Sequence, residues 1–346
     1  MNGKMAETAI ILPPRESFTP EAAGAIALVV RRFCTALPGA VVLGHDAGGT
    51  FPGIKFQRAG GFLRLVVALR RLRPRVIEVH QKPRWAMALA LLFPSARVLL
   101  FLHNDPLTMR GLRTRLGRRL ALRRLHRVVC VSSYLAARYA EGLAQAPAVL
   151  PNPIGEDELP APVEKELVIL FAGRIVADKG PDVFIAACAE ALPGLAGWRA
   201  EMIGGDRFGP NSPDSRFFIT QREAARQAGI IFHGPLPHRE VLTAMNKAAI
   251  VVVPSRWAEP FGLTALEAMA TGAALITTGQ GGLREVAGDA AIYVPPGDAD
   301  ALAKALAALA HNAARREALS QAGRARARGF LTPAIAPRLQ ALRDGV

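Results

Sequence analysis

Residues 167–183 read LVILFAGRIVADKGPDV. The apolar run 167–171 is short and unalternating, which predicts a strand buried on both faces. Gly173 permits a turn, Arg174 and Lys179 fall in one loop, and Pro181 stands at a helix start, where proline is best tolerated. Strand, loop and helix in that order make the repeating unit of a parallel α/β sheet, whose ligands bind beyond the carboxyl ends of the strands. Two fixed cations beside a helix N-terminus suit a diphosphate. Taken alone, two solvated loop cations are the plainer reading.

The same unit recurs on both sides. Apolar runs at 8–12, 40–43, 76–79, 98–102 and 128–131 alternate with helix-like stretches at 21–36, 62–72, 84–92, 112–125 and 133–140. Beyond the Pro- and acid-rich segment 151–166, which reads as a linker, runs at 200–203, 230–232, 250–253, 274–277 and 291–294 continue the alternation. The pattern predicts two doubly wound Rossmann-like α/β domains facing across a cleft. An N-terminal domain covers 1–152 and a C-terminal domain covers 153–332, with a last helix over 333–346.

A chain of 346 residues, 51% hydrophobic and 21% charged, can build such cores, and general disorder is excluded. Its net charge of +15 is unevenly placed. The first 152 residues hold 23 Lys or Arg against 7 Asp or Glu, and the remainder holds 20 against 21. Compositional drift towards Arg would not leave the second half neutral, so the excess points to an anionic partner. Two Arg-rich stretches, 63–75 and 110–127, carry much of it. Leu112, Leu116, Leu120 and the Leu122/Leu125 pair recur at helical spacing, which fits a basic helix lying on an anionic membrane surface and equally a core-facing stripe. Nucleic acid is not expected, because 6% aromatic content leaves few stacking platforms. Cys34, Cys130 and Cys188 form no CxxC pair, which fits a reducing compartment. The apolar run near the start is too short for a signal peptide, and the stretch 85–102 is broken by Pro94, Ser95 and Arg97, so no membrane span is expected.

A second motif, PSRWAEPFGLTALE at 254–267, follows the run 250–253. Glu259 falls in a loop and Glu267 about one turn into a helix that begins near Gly262, so two carboxylates flank the amides of Phe261, Gly262 and Leu263. Carboxylates accept hydroxyl hydrogen bonds from vicinal diols, and a helix N-terminus accepts anions or sugar oxygens. A surface acid and a capping group are the plainer readings of each Glu alone.

GRxxxxKG at 173–180, PSxxxEPFGLxxLEAMAxG at 254–272, QGGLRE at 280–285 and YVPPG at 293–297, in that order, resemble the retaining glycosyltransferases of the GT-B fold, sequence family four (glycosyl transferases group 1), of the bacterial surface-polysaccharide and lipopolysaccharide type. The resemblance is close over 165–310 and looser before it, through IEVHQKPRW and LHNDP. It implies a retaining, metal-independent hexosyltransferase that moves sugar from a UDP- or GDP-sugar to a glycan or lipid-linked acceptor, with no cofactor. It further implies that 1–152 is the acceptor-side domain, that 153–332 is the nucleotide-sugar-binding domain, and that the helix over 333–346 crosses back to the first. A cytoplasmic protein is expected, and the basic first half places it peripherally on the inner face of the membrane. Arg174 and Lys179 would hold the diphosphate, Glu267 the ribose hydroxyls, and Glu259 the transferred sugar, with the backbone of Phe261, Gly262 and Leu263. His103 would reach the sugar from the first domain, and Gly24 would lie near the phosphates, although this chain has Ala23–Gly24–Ala25 where the common pattern has two adjacent glycines. Gly204 and Leu236 fall where the family places the base.

Alternative readings are a nucleotide-sugar epimerase of the same fold and a non-enzymatic basic binding protein. Asp298 and Asp300 spell DxD but read as a helix cap. Asp105, the nearest carboxylate for a double displacement, also reads as a cap, and His80 reads first as structural. His45 and Asp46, before Gly48 and Gly49, read as a turn.

Overall fold

Runs of Val, Ile and Leu too short for helices become strands wherever both faces can be covered. In the computed structural model, residues 7–14, 16–45, 50–206 and 213–345 are described. Asp46, Gly48 and Gly49 of the expected turn lie outside them. The chain folds as two compact units, one of residues up to Gly155 together with those from Phe330 on, the other Glu156–Gly329.

In the first unit, β1 (Thr8–Ile11), β2 (Val41–Gly44), β3 (Lys55–Arg58), β4 (Val76–His80), β5 (Arg97–Leu102), β6 (Arg127–Cys130) and β7 (Ala148–Val149) form one parallel sheet, ordered β3-β2-β1-β4-β5-β6-β7. Edge strands β3 and β7 were not expected: KFQR has one apolar residue and exposed ends, and β7 has two residues. With the right-handed crossovers that parallel sheets require, the strand order puts helix Ala25–Ala36 on one face, and Phe62–Leu72, Pro83–Leu92 and Arg115–Arg124 on the other. The Arg-rich helix is shorter than the expected stretch because the Thr114 hydroxyl accepts from Gly117 N at 3.1 Å and so starts it late.

Helix Thr332–Asp344 packs beside Ala25–Ala36. A buried ion pair, Arg343 Nε to Glu78 Oε1 at 2.6 Å, ties it to β4. The sequence places domain breaks after 152 and 332. The structure moves both breaks by about three residues, since Ile154 N donates to Phe330 O at 2.8 Å and Thr332 N donates to Ile154 O at 3.0 Å.

The second unit holds β8 (Glu166–Ala172), β9 (Arg199–Ile203), β10 (Ile231–Gly234), β11 (Ala248–Val253), β12 (Ala274–Thr277) and β13 (Ala291–Tyr293) in a parallel sheet ordered β10-β9-β8-β11-β12-β13. The order reverses between β8 and β11, so the loops leaving these two strands diverge from a single crevice, the expected ligand position. Both motif loops are there.

Candidate functional site

The loop after β8 and the loop after β11 are pressed together at Gly180. Its φ is +69°, and a Cβ on it would lie 2.3 Å from the Pro254 carbonyl oxygen. Glycine is required both for the left-handed backbone and for the approach. This closeness brings Lys179 Nζ to 2.5 Å from Glu259 Oε1, across 80 residues of sequence. Ser255 Oγ donates to the same oxygen at 2.6 Å. The Lys179 ammonium also lies 5.6 Å from the Trp257 ring centroid. A carboxylate only 7% exposed is tolerated here because a cation and a hydroxyl both bond it.

Arg256, Ser255 and Thr278 were not singled out from sequence. The Arg256 guanidinium takes both oxygens of Asp182, at 2.8 and 2.5 Å, and its backbone N–H donates to Asp178 O at 2.9 Å. It thereby fixes the short turn Ala177–Lys179. Thr278 Oγ1 donates to Ser255 O at 2.7 Å, joining the loop after β12 to the same cluster. Gly282 N donates to Glu259 O at 2.7 Å, and a Cβ on Gly281 would lie 2.5 Å from that oxygen. The glycines of QGGLRE therefore let one loop lie against EPFG.

Gly262, at φ +106°, starts helix Leu263–Ala270 with no side-chain cap, and Phe261 is buried beneath it. Glu267 is buried in this helix, its Oε1 2.8 Å from His238 Nε2. His238 was missed because it lies 29 residues away on another helix. Arg174 is exposed at the same strand end. A Cβ on Gly204 would lie 1.8 Å from Gly173 O, so the loops after β8 and β9 also touch backbone to backbone. Leu236 is half-buried and lines a groove of about 380 Å³ with Val168, Ile203 and Ala244.

In the first unit, His103 follows β5 and is buried, its Nε2 2.9 Å from His80 Nδ1. Burial holds His103 down to about 3, and burial, His103 and the Arg343 charge hold His80 well below the ordinary histidine range. Both rings are neutral. Gly24 caps helix Ala25–Ala36, but the amides of Ala27 and Ile26 are taken by the Glu16 carboxylate, with Ala27 N to Oε1 at 2.9 Å. Burial pushes Glu16 up from the usual carboxylate range. A phosphate at Gly24 would have to displace this carboxylate, which sequence reading did not foresee. Asp105 caps the turn Pro106–Thr108 through Leu107 N at 2.9 Å and pairs with Arg138 at 2.8 Å. Asp298 caps its helix through Ala301 N at 2.8 Å. Among the described residues no group of His, Cys, Asp and Glu is gathered as a metal site, and no helix is long and apolar enough to cross a membrane.

Residues 157–326 match the family model of glycosyl transferases group 1, and residues 18–158 that of Glycosyltransferase Family 4. The chain belongs to this glycosyltransferase family. A D-inositol 3-phosphate glycosyltransferase from Kribbella flavida is 33% identical over 173 residues, 48% of this chain and 41% of that protein. The chain thus spans less than half the length of such curated relatives. Among solved structures, a sucrose-phosphate synthase from Thermosynechococcus elongatus superposes with a TM-score of 0.77 at 20% identity, covering 97% of this chain and 98% of that one. Anabaena HepE, in complex with UDP and glucose, gives 0.79 at 15% identity, covering 99% and 100%. The family's fold, GT-B, with two parallel-sheet Rossmann-like domains, is the fold of this chain.

Proposed function

We propose that the chain is a retaining, metal-independent glycosyltransferase that moves a hexose from a UDP- or GDP-sugar to a glycan or lipid-linked acceptor. The observation that carries this is the Lys179–Glu259 pair beside the uncapped N-terminus at Gly262. Lys179, Arg174 and helix amides stabilise the charge that grows on the departing diphosphate. Glu259 and the Phe261, Gly262 and Leu263 backbone hold the transferred sugar, and Glu267, oriented by His238, takes the ribose hydroxyls. The acceptor hydroxyl attacks the face from which the diphosphate leaves. Its oxygen bonds the anomeric carbon, the carbon–phosphate-oxygen bond breaks, and the proton passes to the leaving phosphate oxygen. Asp105 is committed to its cap and to Arg138, which argues against a double displacement.

Removing one preorganised donor costs on the order of 10²- to 10³-fold in rate. Turnover of UDP- and GDP-sugars is therefore expected to fall by about that factor in Lys179→Ala and Glu259→Gln, and to survive EDTA. Full activity in both variants would contradict the site, and loss in EDTA restored by Mg²⁺ would contradict metal independence.

The proposed workplace is the cytoplasmic face of an anionic membrane. Helix Phe62–Leu72 meets Pro83–Leu92 through Phe62 and Trp85, Pro83–Leu92 packs against Arg115–Arg124, and on these helices Leu63, Leu91 and Leu116 are 82%, 67% and 74% exposed. Exposed leucines among arginines match anionic lipid in both charge and apolarity. Flotation with anionic vesicles at low salt is expected to weaken about tenfold or more in the Leu63→Ser/Leu116→Ser double variant, since each lost insertion removes apolar contact. Equal behaviour of wild type and variant would overturn this. A soluble phosphorylated polyol acceptor is the second reading, favoured by the names of the inositol phosphate relatives. An assay with inositol phosphate in the absence of membrane separates the two.

A further inference from the structure

The last residue of β4 and the first residue after β5 are both histidines, and they are bonded to each other. His80 is 1% exposed and His103 9%. Their rings are 23° from coplanar with centroids 5.1 Å apart, and Nδ1 of His80 is 2.9 Å from Nε2 of His103. Rings set edge to edge in this way share one N–H···N bond along their planes. Phe101 lies parallel to His80 at 4.8 Å and holds it in place.

Two neutral rings carry one proton each, so the shared bond has two possible directions. They differ at His80 Nε2, which is buried with no hydrogen-bond partner among the described residues. If His103 donated, the His80 proton would sit on that Nε2, leaving a buried N–H with no acceptor. If His80 donates from Nδ1, its Nε2 is a lone pair. Orphaned buried N–H groups are the rarer defect, and under-satisfied acceptors the more tolerated one. His80 is therefore the donor, and the proton of His103 sits on Nδ1.

We propose that His80 is a positioning residue: it fixes the tautomer of His103 so that His103 presents an Nδ1–H donor, and not a base, to a hydroxyl oxygen of the donor sugar. This rests on the transferase reading for what His103 touches. The tautomer itself rests on the ring-to-ring bond, the neutrality of both rings and the unpartnered Nε2 of His80.

The test is ¹⁵N NMR of the histidine rings in the full chain, with His103 assigned by its substitution, together with steady-state kinetics. In the wild type, His103 is expected to be protonated on Nδ1 and bare on Nε2. His80→Leu is expected to release this preference and lower kcat by about 10- to 100-fold, as for other partners that orient an imidazole, with donor KM changed less than about twofold. His80→Asn, nearly the shape of Leu but with an amide N–H to give to His103 Nε2, is expected to restore the tautomer and most of the rate. A wild-type His103 protonated on Nε2 overturns the proposal, as does a His80→Leu enzyme with wild-type tautomer and kcat. The ring spectrum is read whether or not a nucleotide-sugar is turned over, so a failed transferase reading and a failed tautomer are told apart.

Discussion

Gly180 shows what a single residue decides here. Its left-handed φ and the Pro254 carbonyl leave no room for a Cβ, and without that approach Lys179 would not meet Glu259. Gly180→Ala is expected to destabilise the fold by about 1–2 kcal/mol and to weaken nucleotide binding, seen as a lower Tm and a higher Kd. Retention of both would contradict the role. At this scale the sequence was informative about residues whose type is demanded by backbone or charge. Lys179, Glu259 and Glu267 stood out because a cation loop and two acids follow strands. Their partners were illegible: Arg256, Ser255 and His238 are ordinary surface types by composition, and only tertiary pairing gives them work. Glu16 was hidden in the same way, since nothing in its neighbours announces that it fills the helix end at Gly24.

Elements were legible where an apolar run forces burial, and illegible where it does not. The eleven runs all became strands, while polar β3 and two-residue β7 did not declare themselves. Helix Gly282–Ala287 was missed too, being six residues long and opening on the second of two adjacent glycines, which read as loop. Elements also depend on what ends them. Lys165 Nζ donates to Asn246 O at 2.8 Å and Thr271 O at 2.9 Å, closing the C-termini of helices His238–Lys247 and Leu263–Ala270, and burial holds its amine down to about 8. Lys165→Met takes the donor from Asn246 O and leaves Thr271 O only the longer bond from Arg324 at 3.5 Å, and is expected to cost about 1–3 kcal/mol, measurable by chemical denaturation. An unchanged midpoint would show that the cap contributes nothing.

Over the whole molecule, the basic surplus proves to be of two kinds. Part is spent inside the first unit. The Arg118 guanidinium serves the carbonyls of Leu112 and Glu141, Arg32 serves Pro153, and Arg343 pairs with Glu78. Another part, Arg64, Arg70, Arg71, Arg119, Arg123 and Arg124, is exposed on the helices that bear the exposed leucines, where sequence periodicity alone left a core-facing stripe equally open: Leu112 and Leu125 are buried, Leu116 and Leu120 are not. The histidine pair gives the molecule an acid limit. An unfolded histidine titrates near 6.5, whereas folded His103 titrates at about 3. Between these values the unfolded chain binds a proton that the folded chain does not. Stability is therefore complete above about 6.5 and falls as pH drops, by up to about 1.4 kcal/mol per pH unit per histidine. Denaturation at pH 7 and pH 5 is expected to show this slope in the wild type and a shallower one in His103→Leu. Equal slopes would contradict it.

The central claim is that the loops after β8 and β11 hold a nucleoside diphosphate through Lys179. Calorimetric titration of the full chain with UDP and with GDP, in EDTA, tests it directly. The account predicts that one of the two binds, and that Lys179→Ala weakens it by about tenfold or more, or about 1.4 kcal/mol. Binding of neither nucleotide, or equal Kd in wild type and variant, would contradict it.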